Sequence, residues 1–107
     1  MSEVLLVLTN LPDQASAKRI AEALVENHAA ACVNILAECS SVYRWQGKVE
    51  TANEVPLLIK TTRAAYPQLE KIIQTHHPYE LPEIVAVIVD DGLPGYLQWV
   101  TQETIRI

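Results

Sequence analysis

The stretch Ser41-Val42-Tyr43-Arg44-Trp45-Gln46-Gly47-Lys48-Val49-Glu50 decides the fold. Gln46-Gly47 marks a tight reversal, because glycine tolerates the positive φ that two-residue hairpins require. Upstream, polar and apolar residues alternate in Cys32-Val33-Asn34-Ile35 and again in Val42-Tyr43-Arg44-Trp45. Glu38-Cys39-Ser40-Ser41 joins the two runs. The pattern predicts one long strand over residues 30–45 with a bulge near Glu38 to Ser41. The return strand runs from Lys48 to Thr61, irregular at Pro56, which cannot donate a ladder hydrogen bond.

A strand of about 15 residues at about 3.3 Å each spans roughly 50 Å, whereas a domain of this size has a gyration radius of only about 13 Å. The hairpin therefore overhangs its own core. Its tip carries Val42, Tyr43, Trp45 and Val49, and an isolated ribbon with such residues is marginally stable and adhesive. Either the tip folds back over its own sheet, or Tyr43 and Trp45 are buried against another subunit.

Working outward, Val4-Leu5-Leu6-Val7-Leu8 and Leu57-Leu58-Ile59 are uninterrupted apolar runs, the pattern of strands covered on both faces. Ile84 to Val89 is a third such run. Asp13 is suited to cap a helix over residues 14–28, where Ala17, Ile20, Ala21, Leu24, Val25 and His28 recur at helical spacing. A second helix places Ala65, Leu69, Ile72, Ile73 and His76 on one stripe, with Pro67 confined to its first turn and Pro78 ending it. Pro94-Gly95 opens a final helix whose Leu97, Val100 and Thr104 share a face. The order strand, helix, strand, strand, helix, strand, helix predicts an α+β fold built on a split βαβ antiparallel sheet, with the first and third strands central.

The 107 residues, half of them apolar, fit one domain over 1–107. With 8 Lys+Arg against 13 Asp+Glu and a charge of -5, the chain lacks the electrostatic footprint of a nucleic-acid binder. Met1-Ser2-Glu3 carries no basic leader, and the first apolar run is too short to span a membrane. The expectation is a cytoplasmic protein with no membrane insertion. Cys32 and Cys39, seven apart on an extended segment, are expected as reduced thiols.

Several stretches resemble the CutA family of divalent-cation tolerance proteins. They are Ala31-Cys32-Val33-Asn34-Ile35, the hairpin from Ser41 to Glu50, Leu58-Ile59-Lys60-Thr61-Thr62, His76-His77-Pro78-Tyr79-Glu80-Leu81-Pro82-Glu83-Ile84 and Tyr96-Leu97-Gln98-Trp99. The resemblance implies a ferredoxin-like subunit, a homotrimer similar to PII signalling proteins, and a link to copper and other divalent cations. No organic cofactor is expected. Metal binding attributed to some members involves a cysteine near the end of the first strand, where this chain has Val7-Leu8-Thr9-Asn10.

His76 and His77 are the metal candidates, since neutral imidazole suits Cu(II) and other divalent cations. If the helix ends at His76, that ring falls on the apolar stripe or near the last carbonyls, while Pro78 forces His77 toward extended geometry and outward projection. A second candidate is a cleft between subunits in which Cys32, Asn34, Tyr43, Trp45, Lys60, Tyr79 and Glu83 bring polar groups to an aromatic wall. Lys60 is expected to pair with a carboxylate, and ordinary packing around that ion pair is the competing explanation of the same residues.

No serine in a nucleophile elbow, glycine-rich phosphate loop or diagnostic acid pair is present. The loop Thr9-Asn10-Leu11-Pro12-Asp13 lacks the glycine that an acylphosphatase-like enzyme would use to cradle phosphate. Taken with the resemblance, which implies the trimer and the metal-ion response, the sequence is read as a non-enzymatic, trimeric binding or regulatory module. A PII-like small-molecule-sensing scaffold, contacting an unidentified protein partner, is the alternative, and an acylphosphatase-like enzyme ranks behind it.

Overall fold

A computed structural model describes residues 3–104. Its elements are β1 (Val4–Leu11), α1 (Gln14–Glu26), β2 (Cys32–Ile35), β3 (Cys39–Trp45), β4 (Lys48–Thr62), α2 (Tyr66–His76), β5 (Val85–Ile88) and α3 (Pro94–Thr104). One antiparallel sheet runs in the order β2-β4-β1-β5, and β3 continues the pairing along the outer half of β4. The two apolar runs predicted to be central, β1 and the inner half of β4, lie side by side with Val7 opposite Ile59 and Leu8 opposite Leu58.

Alternation along these strands sorts the side chains onto two faces. Leu5, Val7, Leu11, Leu57 and Ile59 point beneath α1 and α2, where they join Ile20, Leu24, Leu69 and Ile73 in a fully buried cluster. Each such side chain contributes about 1.5–3 kcal/mol by leaving water. Helix α3 covers one end of the opposite face, where Val4, Ala31 and Val100 form a second cluster with Leu97. The rest of that face has no cover from the described residues. Leu8, Val85 and Val87 remain 36%, 46% and 53% exposed, and Leu6 and Leu58 are half-buried beside them. The sequence pattern of strands covered on both faces is thus only half satisfied within one chain.

Local chemistry accounts for the element ends. The Asp13 carboxylate accepts the Ser16 amide at 2.8 Å, capping α1 as expected. The helix stops earlier than its periodicity predicts, at Glu26 rather than His28, because His28 adopts φ 57. The amides of His28 and Ala29 then turn back to the Val25 and Leu24 carbonyls, the usual use of a left-handed residue at a helix end. The His28 ring meets the Glu103 carbonyl of α3 at 3.0 Å. Pro67 sits in the first turn of α2, where its missing N–H removes no helical hydrogen bond.

The predicted long strand before the hairpin divides into β2 and β3. Leu36, Ala37 and Glu38 lie between Ile35, opposite Leu57, and Cys39, opposite Glu54, so three residues face only Val55 and Pro56. This one-residue bulge falls slightly before the expected Glu38 to Ser41. Strand β4, by contrast, passes through Pro56 without interruption. The irregularity expected of Pro56 is displaced onto the neighbouring strand, where the Leu36 amide donates to the Pro56 carbonyl at 2.9 Å.

Beyond the bulge, β3 and β4 form a ribbon closed at Trp45 opposite Lys48, with Gln46 and Gly47 at φ 50 and 82. Two consecutive positive φ values are the geometry that matches strand twist in a two-residue hairpin. The molecule measures 44 × 25 × 23 Å, its long axis close to the length of the fifteen-residue β4. The tip does not fold back into cover, and Val42 and Val49 are 70% and 65% exposed.

Candidate functional site

Strand β1 ends in a polar cluster built around Asn10. Its carbonyl accepts the His77 Nε2–H at 2.7 Å, and its side-chain amide donates to Glu83 Oε1 at 3.0 Å. The His77 Nδ1 in turn accepts the Tyr79 amide at 3.1 Å. A carbonyl can only accept and an amide only donate, so these bonds fix the neutral Nε2–H tautomer and occupy both ring nitrogens. Burial holds the His77 pKa below the usual histidine value, although the Asn10 carbonyl and the Glu54 charge work the other way.

His77 is therefore not the outward-projecting ligand that Pro78 suggested. Its backbone amide caps the Ile73 carbonyl at the end of α2, which turns the ring inward onto β1. His76 is the exposed member of the pair. Its Nδ1 meets the Ile72 carbonyl at 2.9 Å, the carbonyl contact anticipated for it. Among the described residues, no group of three or more His, Cys, Asp and Glu side chains gathers in a metal-holding cluster.

The chain leaving α2 carries Tyr79 and Glu83 past the ribbon. Between them lies a groove of about 1110 Å³, lined by Asn10, Tyr43, Trp45, Glu54, Tyr79 and Glu83 together with Leu81 and Ile84. Tyr79 donates its phenol to Glu54 Oε2 at 2.9 Å. Burial, the bond to Glu54 and that carboxylate's charge push the Tyr79 pKa up to about 12. Its ring also stacks at a tilt on His77, centroids 4.7 Å apart.

The seven residues predicted to share a cleft thus divide. Tyr43, Trp45, Tyr79 and Glu83 do meet in the groove. Cys32, Asn34 and Lys60 form a separate cluster further along the open sheet face, with Cys32 directly opposite Lys60 in register. The Lys60 ammonium donates to Asn34 Oδ1 and approaches the Cys32 sulfur at 3.9 Å. Its partner is an amide oxygen rather than the expected carboxylate, because the strand facing it supplies Cys32 and Asn34. Tyr96 of α3 lies beside Cys32, and burial together with that neighbour raises its pKa. Both cysteines are free thiols.

Two groove residues escaped the sequence reading. Asn10 looks like an ordinary loop residue before Leu11-Pro12, and Glu54 is one of several acids along the return strand. Glu54 is nonetheless only 8% exposed. A carboxylate immediately before the apolar run Val55 to Ile59 was the available signal, since such a charge needs a donor once the strand enters the sheet.

Comparison with known proteins agrees with this architecture. The family model for CutA1 divalent ion tolerance protein matches residues 5–103. The divalent-cation tolerance protein CutA of Thermus thermophilus is 46% identical over 104 residues, 97% of this chain and 99% of that one. Human Protein CutA is 44% identical over 93 residues, and there the match spans 87% of this chain but only 52% of the human one. Among solved structures, the Thermus thermophilus protein superposes with a TM-score of 0.93 at 44% identity, covering 94% of this chain and 98% of that chain. CutA1 from Oryza sativa superposes at 0.94 with 33% identity, covering 99% and 97%. A relative from Archaeoglobus fulgidus, 30% identical with a TM-score of 0.91 over 95% of this chain and 99% of that one, is described as a periplasmic divalent cation tolerance protein. With the split βαβ sheet, the extended ribbon and a match along nearly its whole length, the chain belongs to the CutA1 divalent ion tolerance family.

Proposed function

We propose that the chain is a homotrimeric, non-catalytic binding module of the cellular response to divalent cations, copper first among them, and that it works in the cytoplasm. The open sheet face carries this reading. Leu6, Leu8, Leu58, Val85 and Val87 form a contiguous apolar surface on strands whose sequence is apolar on both sides. A surface of that kind is costly in water and is relieved when another copy covers it. The protruding ribbon, with Tyr43 and Trp45 still 43% and 40% exposed, supports the same assembly. Among the described residues no helix is long and apolar enough to cross a membrane.

The absence of catalysis is supported at the loop after β1. Asp13 folds back on the first turn of α1 and takes the Ser16 amide, so one of the first-turn donors that a phosphate enzyme would turn on its substrate is spent on the chain's own carboxylate. For copper, His76 is the better of the two histidines. Its Nδ1 faces a carbonyl and therefore carries the proton, which leaves the Nε2 lone pair for a metal. His77 would have to surrender a hydrogen bond first.

Sedimentation velocity at micromolar concentration tests the assembly. The expected result is a species three times the 11.9 kDa chain mass, and a single-chain species overturns the proposal. Calorimetric titration with Cu(II) tests the metal: uptake that His76→Ala abolishes is expected, and equal uptake by the variant removes His76 from the reading. The groove favours a second reading, a PII-like sensor of a small molecule, which would respond to an organic ligand with or without copper.

A further inference from the structure

We draw no further inference here: the strongest candidate, the side-chain cluster of Lys60, Cys32 and Asn34 beside Tyr96 on the open sheet face, lies on the surface that another copy covers in the proposed trimer, and nothing in the structure shows what else would reach its thiol.

Discussion

The phenol of Tyr79 donates to Glu54 Oε2 at 2.9 Å, tying the segment after α2 to β4 at the point where the ribbon leaves the sheet. Glu54 stands opposite Cys39, the first residue past the bulge. One hydrogen bond thus joins the hinge of the arm, the inner wall of the groove and the turn that buries His77.

Tyr79→Phe deletes the donor and leaves the Glu54 carboxylate, 8% exposed, without that partner. A loss of about 1–3 kcal/mol in unfolding free energy is expected. Urea denaturation at one fixed protein concentration measures it, and Tyr79→Phe combined with Glu54→Gln should recover part of the loss because the unpaired charge is gone.

His77 makes stability depend on pH. Its folded pKa lies below the ordinary value of 6.5, so the unfolded chain takes up the proton first as pH falls. The stabilisation is complete above about pH 6.5 and declines below it toward the folded pKa. Thermal unfolding midpoints measured from pH 7.5 to 5 should fall in the acid range. His77→Gln should be less stable at pH 7 and should lose the part of the slope that His77 supplies, and an unchanged slope would contradict the assignment of a neutral, doubly bonded ring.

At the hairpin tip, Gly47 has φ 82 with open space where a Cβ would stand. Gly47→Ala therefore costs backbone strain alone, about 1–2 kcal/mol. Gln46→Gly, at φ 50, should relieve strain at the neighbouring position. Amide hydrogen exchange across residues 42–49 should quicken in the first variant and slow in the second.

The two faces of the sheet should answer differently to mutation. Leu57→Ala opens a cavity in the fully buried cluster and should cost about 2–5 kcal/mol whatever the state of assembly. Leu8→Lys and Val87→Lys place charge on the open face. These variants should keep the far-ultraviolet dichroism of the wild type but sediment as single chains, and trimers of Leu8→Lys would show that another surface holds the copies together.

Much of the fold was legible from pattern because it depends on local periodicity and backbone chemistry. Asp13, Gln46-Gly47 and Pro67 act within four residues of themselves, and their roles as cap, turn and first-turn residue are those expected. The central placement of β1 and β4 follows from their apolar runs and the handedness of the crossovers. The irregularity near Pro56 was legible but misplaced, because proline's own strand continues uninterrupted and the extra residue falls on its partner. The end of α1 was missed because His28 continues the apolar spacing while its backbone turns left-handed.

The candidate site divides along the same line. Sequence by itself determined which candidate side chains lie together along the chain, namely two adjacent histidines, an aromatic ribbon and acids near Pro82, and it determined that the ribbon exceeds its core. Only the tertiary structure decided that His77 turns inward onto the Asn10 carbonyl, that Lys60 meets Asn34 instead of a carboxylate, and that Glu54 and Asn10 belong to the groove. The physical reason is range. Periodicity and capping are encoded between neighbours, whereas the direction of a side chain and the partner it meets depend on strands brought together from residues 25 to 73 positions apart.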